Sequence, residues 1–128
     1  ASCQEELFDQ CDIVSLHIPA TPQTIKSINY DMVNRMKEGA ILVNTAREEV
    51  IDEDGLLELM HDRPDLKYVT DIKPDTNAIF VAKFADRYFT TPKKMGAQTA
   101  EANVNAGLAA ARQIVSYFQK GITKFRVN

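Results

Sequence analysis

Arg47, in the run Val43-Asn44-Thr45-Ala46-Arg47, and the pair Lys93-Lys94, in Thr91-Pro92-Lys93-Lys94-Met95-Gly96, are the cationic groups of this chain best placed to handle an organic acid. A guanidinium offers a planar fork of donors to a carboxylate and stays charged at any working pH. An ammonium can give a proton to an oxygen or, once deprotonated, take one back. Its ordinary pKa of ~10.4 makes lysine an acid near neutrality. Burial or neighbouring positive charge would lower that value, and a paired carboxylate would raise it. His17 and Asp71 each close an apolar run, and Asp75 follows Pro74. Each of these has a bland alternative. Arg47 could be a solvated arginine beside Glu48 and Glu49, and the two lysines could be solvated loop residues. Asp75 could cap a turn beside Pro74. His61 reads as a solvated histidine at the end of an amphipathic helix.

The elements that must position these groups alternate between strand and helix. Ser2 and Glu5 have capping-box spacing, so a short helix is expected from Cys3 to about Gln10, burying Leu7, Phe8 and Cys11. Residues 12–18 read as a strand ended by Pro19. Asn29 or Asp31 can cap a helix through Met36, with Gly39 just past its end. Residues 40–44 form a near-continuous apolar strand, the pattern of one covered on both faces. Asp52 can cap a helix carrying Leu56, Leu57, Leu59 and Met60, stopped before Pro64. Residues 66–70 read as a strand, 72–77 as a loop, 78–85 as a weak helix and 87–90 as a last strand. From Gln98 to Lys120 the residues Ala100, Val104, Leu108, Ala111, Val115 and Phe118 keep to one helical face, and Gly121 terminates the helix. Residues 122–127 read as a strand or tail. Four strands with helical connections imply an α/β fold with a parallel sheet, whose ligands bind in the loops after the strands. Those loops are 19–24, 45–51, 71–77 and 92–97, and every unusual polar cluster falls in one of them.

Composition narrows the possibilities. The chain has 128 residues, 45% hydrophobic and 26% charged, which suits a soluble domain with a core. A net charge of −3 offers no basic field to nucleic acid. No apolar run approaches the ~20 residues that span a bilayer. Cys3 and Cys11 are too few for a disulfide framework and lack metal-ligand spacing, so two buried thiols in a reducing cytoplasm are expected. The glycines, at 39, 55, 96, 107 and 121, cannot make G-x-G-x-x-G, so the chain holds no dinucleotide pyrophosphate loop. On physical grounds it is half of a doubly wound sheet or a small α/β domain of its own.

Four motifs, in order, carry a family resemblance. Asn44-Thr45-Ala46-Arg47 resembles the Asn-x-x-Arg signature of the D-2-hydroxyacid dehydrogenases, and His17-Ile18-Pro19-Ala20-Thr21 resembles their His-x-Pro-x-Thr loop. Asp71 matches their strand-end aspartate. Thr91-Pro92 followed by Gly96-Ala97-Gln98-Thr99 resembles their Thr-Pro-His-x-Gly-Ala-Ser-Thr segment. The resemblance implies the second half of a Rossmann-type doubly wound parallel sheet over residues 1–97. Residues 98–128 would then be a C-terminal helix and tail crossing to a mostly absent substrate domain. It also implies a fragment of a longer, cytoplasmic, homodimeric enzyme that moves hydride between NAD and a 2-hydroxy acid.

In that family the proton carrier is a histidine paired with a glutamate, and this sequence departs at both positions. Counting back from Gly96-Ala97 puts Lys94 in the histidine's place, whereas counting forward from Thr91-Pro92 gives Lys93. We take Lys94 as the acid/base, Arg47 as the group that orients the substrate carboxylate, and Asp75, one position early, as the substitute acid. By the same carry-over His17, Ile18, Pro19, Thr45, Ala46, Arg47, Asp71, Lys94, Gly96 and Ala97 contact the cofactor. The wording of residues 44–51 and 88–101 resembles a short, lysine-bearing branch that acts on 3-phosphoglycerate at the opening of serine synthesis. Reduction of glyoxylate, hydroxypyruvate or D-lactate's oxo acid is the enzymatic alternative. A non-catalytic NAD-sensing module is the alternative of another class.

Overall fold

The four apolar runs become four parallel strands in the computed structural model, which describes residues 3–92 and 100–123. The elements are α1 (Gln4–Gln10), β1 (Ile13–Leu16), α2 (Tyr30–Asn34), β2 (Ile41–Asn44), a 3-10 turn at Glu48–Val50, α3 (Glu53–Asp62), β3 (Lys67–Thr70), α4 (Asn77–Phe84), β4 (Tyr88–Thr90) and α5 (Ala100–Lys120). The strands lie in the order β1-β2-β3-β4, with Ser15, Val43, Val69 and Phe89 in register across the sheet. Parallel pairing in that register brings all four carboxyl ends to one edge. Residues 1–93 and 94–128 form two compact units.

Strand side chains alternate between faces, and one face of this sheet carries the core. Val14, Leu16, Leu42, Tyr68 and Tyr88 are buried together with Phe8 of α1, Val33 of α2, Leu56 and Leu59 of α3, and Phe80 and Phe84 of α4. Phe80 stacks on Tyr88 with ring centroids 4.8 Å apart and tilts against Tyr68 at 5.6 Å. Burial pushes the Tyr68 hydroxyl up to about 12. The other face is more open. Ile13 and Phe89 are each 60% exposed, and Ile41, Val43 and Val69 are half-buried. Full cover on both faces of β2 was the expectation from its apolar run. Among the described residues one face is fully covered, because α1 to α4 all contribute to a single cluster.

Local signals explain several boundaries. Asn29 rather than Asp31 caps α2, accepting from the Met32 N–H at 3.0 Å. Gly39 takes a φ of 74°, a left-handed turn that leads the chain into β2. Gly121, at φ 63°, ends α5, and its N–H returns to the Tyr117 carbonyl at 2.9 Å. Val104, Leu108, Val115 and Phe118 line one face of α5, although none of its residues is buried.

Other expectations need correction. Asp52 precedes α3 but makes no capping hydrogen bond, and its carboxylate lies 4.0 Å from the Lys26 ammonium instead. Leu7 is exposed, Cys3 is exposed and Cys11 is half-buried, leaving Phe8 as the buried residue of α1. A helix of only two turns presents a narrow stripe to the core, and one large side chain fills it. Ser2 of the supposed capping box, Gln98 and the tail beyond Thr123 lie outside the described residues. Among the described residues no helix is long and apolar enough to cross a membrane.

Candidate active site at the carboxyl edge of the sheet

Asn44, the last residue of β2, is 1% exposed and has both ends of its amide engaged. Its Oδ1 accepts from the Ala46 N–H at 3.0 Å, and its Nδ2 donates to the Arg47 carbonyl at 3.0 Å. A buried amide must find such partners, and these two fold the next three residues into one defined turn. The turn delivers Arg47 in extended backbone (φ −147°, ψ 145°) with its side chain exposed. Among the described residues the Arg47 guanidinium makes one hydrogen bond, from Nη1 to the Ala46 carbonyl at 2.9 Å, and no ion pair. The Asn-x-x-Arg spacing is therefore a device. The asparagine builds the turn, and the arginine leaves it with most of its donors facing outward.

The neighbouring strand ends are stitched to this turn. Thr70 donates from its hydroxyl to the Asn44 carbonyl at 2.9 Å, and the Asp71 N–H reaches the same carbonyl at 3.3 Å. The Thr91 N–H donates to the Thr70 carbonyl at 3.2 Å, and the Thr91 hydroxyl donates to the Asp71 carbonyl at 3.3 Å. Asp71 is thus fixed by its backbone while its side chain is not fully satisfied. Its Oδ1 is buried and has no hydrogen-bond partner among the described residues. A buried carboxylate oxygen without a donor is costly, and an N–H brought to it would relieve that cost.

After β1, His17 is exposed and its Nε2 lies 2.9 Å from the Ser15 hydroxyl. Ile18 is half-buried and Pro19 exposed. Thr24 closes the following loop: its hydroxyl donates to the Pro19 carbonyl at 2.6 Å and accepts from the Thr21 N–H at 2.8 Å. After β3, Pro74 is buried and Asp75 exposed. The Asp75 N–H donates to Glu48 Oε1 at 2.9 Å, and the Thr76 N–H donates to Glu53 Oε2 at 3.2 Å.

The structure therefore places His17, Ile18, Pro19, Thr45, Ala46, Arg47 and Asp71 on loops at one edge, with Asp75 further along the β3–α4 loop. Lys93, Lys94, Gly96 and Ala97 lie outside the described residues. Reading the sequence missed Thr24, whose spacing from Thr21 was the available signal. It also missed the two glutamates that hold residues 75 and 76, for which no local signal exists. The acceptor and the small, apolar surfaces at this edge fit a nicotinamide. The orphaned Asp71 oxygen suits a carboxamide N–H, and buried Ala46 and half-buried Ile18 and Thr45 offer small or apolar surface.

Comparison with known proteins identifies the family. Residues 2–90 match the family model described as the D-isomer specific 2-hydroxyacid dehydrogenase, NAD binding domain. The chain belongs to that family. A crystal structure of cofactor (NAD+)-bound 3-phosphoglycerate dehydrogenase from Entamoeba histolytica superimposes with a TM-score of 0.82 and 45% identity. The match covers 100% of this chain and 42% of that one. Among curated relatives, D-3-phosphoglycerate dehydrogenase of Haemophilus influenzae is 36% identical over 97% of this chain and 32% of its own length. Hydroxypyruvate reductase of Thermotoga maritima is 35% identical over 86% of this chain and 37% of its own. The chain spans about a third of the length of these curated relatives.

Proposed function

We propose that this chain supplies the carboxylate-orienting and proton-handling groups of an NAD-dependent dehydrogenase whose substrate is 3-phosphoglycerate. The observation that carries the reading is Arg47, exposed at a strand end, held by a buried asparagine, and carrying one hydrogen bond among the described residues. Its free donors suit the two oxygens of a substrate carboxylate and fix the C2 carbon in place. Lys94 gives a proton to the C2 oxygen when the oxo acid is reduced and removes it when the hydroxy acid is oxidised. Asp75 is its carboxylate partner. Asp71 accepts from the carboxamide of the cofactor, and His17, Ile18, Pro19, Thr45, Ala46, Gly96 and Ala97 line the remainder of that pocket. Bound NAD supplies the hydride acceptor.

The similarity to two 3-phosphoglycerate dehydrogenases supports the substrate, and the similarity to a hydroxypyruvate reductase names the competitor. A chimera tests both, with this chain in place of the matching segment of the Entamoeba enzyme. Reduction of 3-phosphohydroxypyruvate at a kcat/KM well above that for hydroxypyruvate or glyoxylate is the expected result. A chimera that binds NADH and reduces none of the three would favour a sensing module instead. In the active chimera Lys94→Met abolishes turnover in both directions, and near-normal rates would remove Lys94 from the reaction.

A further inference from the structure

Two carboxyl groups outside the proposed reaction meet where the loop after β3 crosses the segment after Arg47. Glu48, the residue next to Arg47, accepts from the Asp75 N–H at 2.9 Å. Glu53, at the start of α3, accepts through Oε2 from both the N–H and the hydroxyl of Thr76. The other oxygen of Glu53, Oε1, is buried and has no donor among the described residues. Both groups border a groove of about 510 Å³, which Lys26, Glu49, Asp54 and Asp75 also line. Among the described residues the one cation lining the groove, Lys26, lies beside Asp52, so it does not belong to this pair alone.

We propose that Glu48 and Glu53 share a single proton and, through it, clamp the loop of residues 71–76 against the segment that carries Arg47. In this arrangement the Glu48 hydroxyl donates to the oxygen of Glu53 that otherwise lacks a donor. The second oxygen of Glu48 keeps its bond from the Asp75 N–H, and Glu53 Oε2 keeps both bonds from Thr76. Every buried oxygen of the pair is then satisfied by one proton. With both groups ionised, two carboxylates repel and one buried oxygen is left without a donor. The acidity of Glu48 agrees with this. Burial pushes its carboxyl above the usual glutamate range, and the hydrogen bond and charge of Glu53 and the charge of Asp75 add to the rise. The Asp75 N–H pulls the other way.

Both glutamates act as positioning residues. They fix the backbone of Asp75 and Thr76 relative to Arg47, and the significance of that for catalysis rests on the reading given above. The sign of the pH dependence follows from the raised value. The clamp is intact below the ordinary glutamate range and is lost as pH rises through the raised one.

The test is amide hydrogen exchange of the full chain by NMR from pH 4, below the ordinary glutamate range, to pH 8, corrected for intrinsic exchange, with no substrate or cofactor present. Its outcome is therefore independent of whether the chain serves a dehydrogenase. Protection of the Asp75 and Thr76 amides falls several-fold across that range. The Met32 amide, bonded to uncharged Asn29, stays level and controls for global opening. Glu48→Gln has a permanent donor for Glu53 and an acceptor for Asp75, so its protection is high and independent of pH. Glu48→Ala lowers protection at pH 4 by about fivefold or more, the factor carried by one lost hydrogen bond. A level profile in the wild-type chain overturns the proposal, and so does a Gln variant that keeps the wild-type pH dependence.

Discussion

At the amino edge of the sheet Arg63 is bonded on every side, whereas at the carboxyl edge Arg47 makes a single hydrogen bond among the described residues. Arg63 donates to the carbonyls of Asn34, Met36 and Lys37 at 3.0, 2.7 and 2.9 Å, and grips Asp65 at 2.6 Å. Arg87 does the same one strand over, donating to the carbonyls of Met60, Arg63 and Leu66 while lying over the Phe84 ring. Asp65 also receives the Gly39 N–H at 2.9 Å. The Arg63 bond, helped by that N–H, holds its carboxyl down to about 2. These arginines satisfy carbonyls at and just beyond the ends of α2 and α3, and those of Asn34 and Met60 are groups that no helix can satisfy for itself. They have few donors left for anything else. The difference teaches a way to sort arginines. A saturated one belongs to the fold, and one held in place by its neighbours yet left with free donors is available to a ligand.

The largest effect that would sharpen this contrast is at Arg47. In the chimera, Arg47→Gln should lower kcat/KM about a thousandfold, the size of ~4 kcal/mol of lost charge-assisted binding in the transition state. Its melting temperature should stay within about 2 °C, because the side chain holds nothing else. Thermal unfolding and steady-state kinetics on one preparation decide it. A variant that melts early and keeps its activity would make Arg47 another structural arginine.

The converse holds at the other edge. Arg63→Met leaves three carbonyls without the donor they share and Asp65 without its charged partner, so it should cost about 3 kcal/mol of stability. For a domain of this size that lowers the melting temperature by on the order of 10 °C. Turnover per folded molecule should be unchanged. A loss of activity without a loss of stability would break the division between the two edges.

Much of this arrangement is legible in the sequence because the signals are local. Asn29, Gly39 and Gly121 each specify a helix end within a few residues, and the apolar runs specify four strands whose helical connections require parallel pairing. Arg47 could be placed at a strand end because Asn44 and Arg47 are close in sequence, and the turn between them is closed by bonds within residues 44–47. The open face of the sheet was not legible, because an apolar run does not say which neighbours cover it. The links from Arg63 to the carbonyls of α2, and from Glu48 and Glu53 to residues 75 and 76, join segments far apart in the chain. Glu48 and Glu49 beside Arg47 suggest only a solvated surface. Their different fates, one bonded to the next loop and one exposed, depend on where that loop passes.

The smallest effect tests the contrast at an anion rather than a cation. Asp65 accepts from Arg63 and from the Gly39 N–H, and Asp71 has one buried oxygen with no donor among the described residues. If that oxygen awaits the carboxamide of a cofactor, Asp71→Asn should weaken NADH binding to the chimera about tenfold, near ~1.4 kcal/mol for one hydrogen bond to a charged acceptor. Stability without cofactor should hold or rise slightly, since the variant removes a charge that is poorly satisfied in the free protein. Asp65→Asn should do the reverse, lowering stability and leaving NADH affinity alone. Titration calorimetry and melting curves on both variants separate the cases. Equal NADH affinity for wild type and Asp71→Asn, with a lower melting point, would mean that Asp71 serves the fold as Asp65 does.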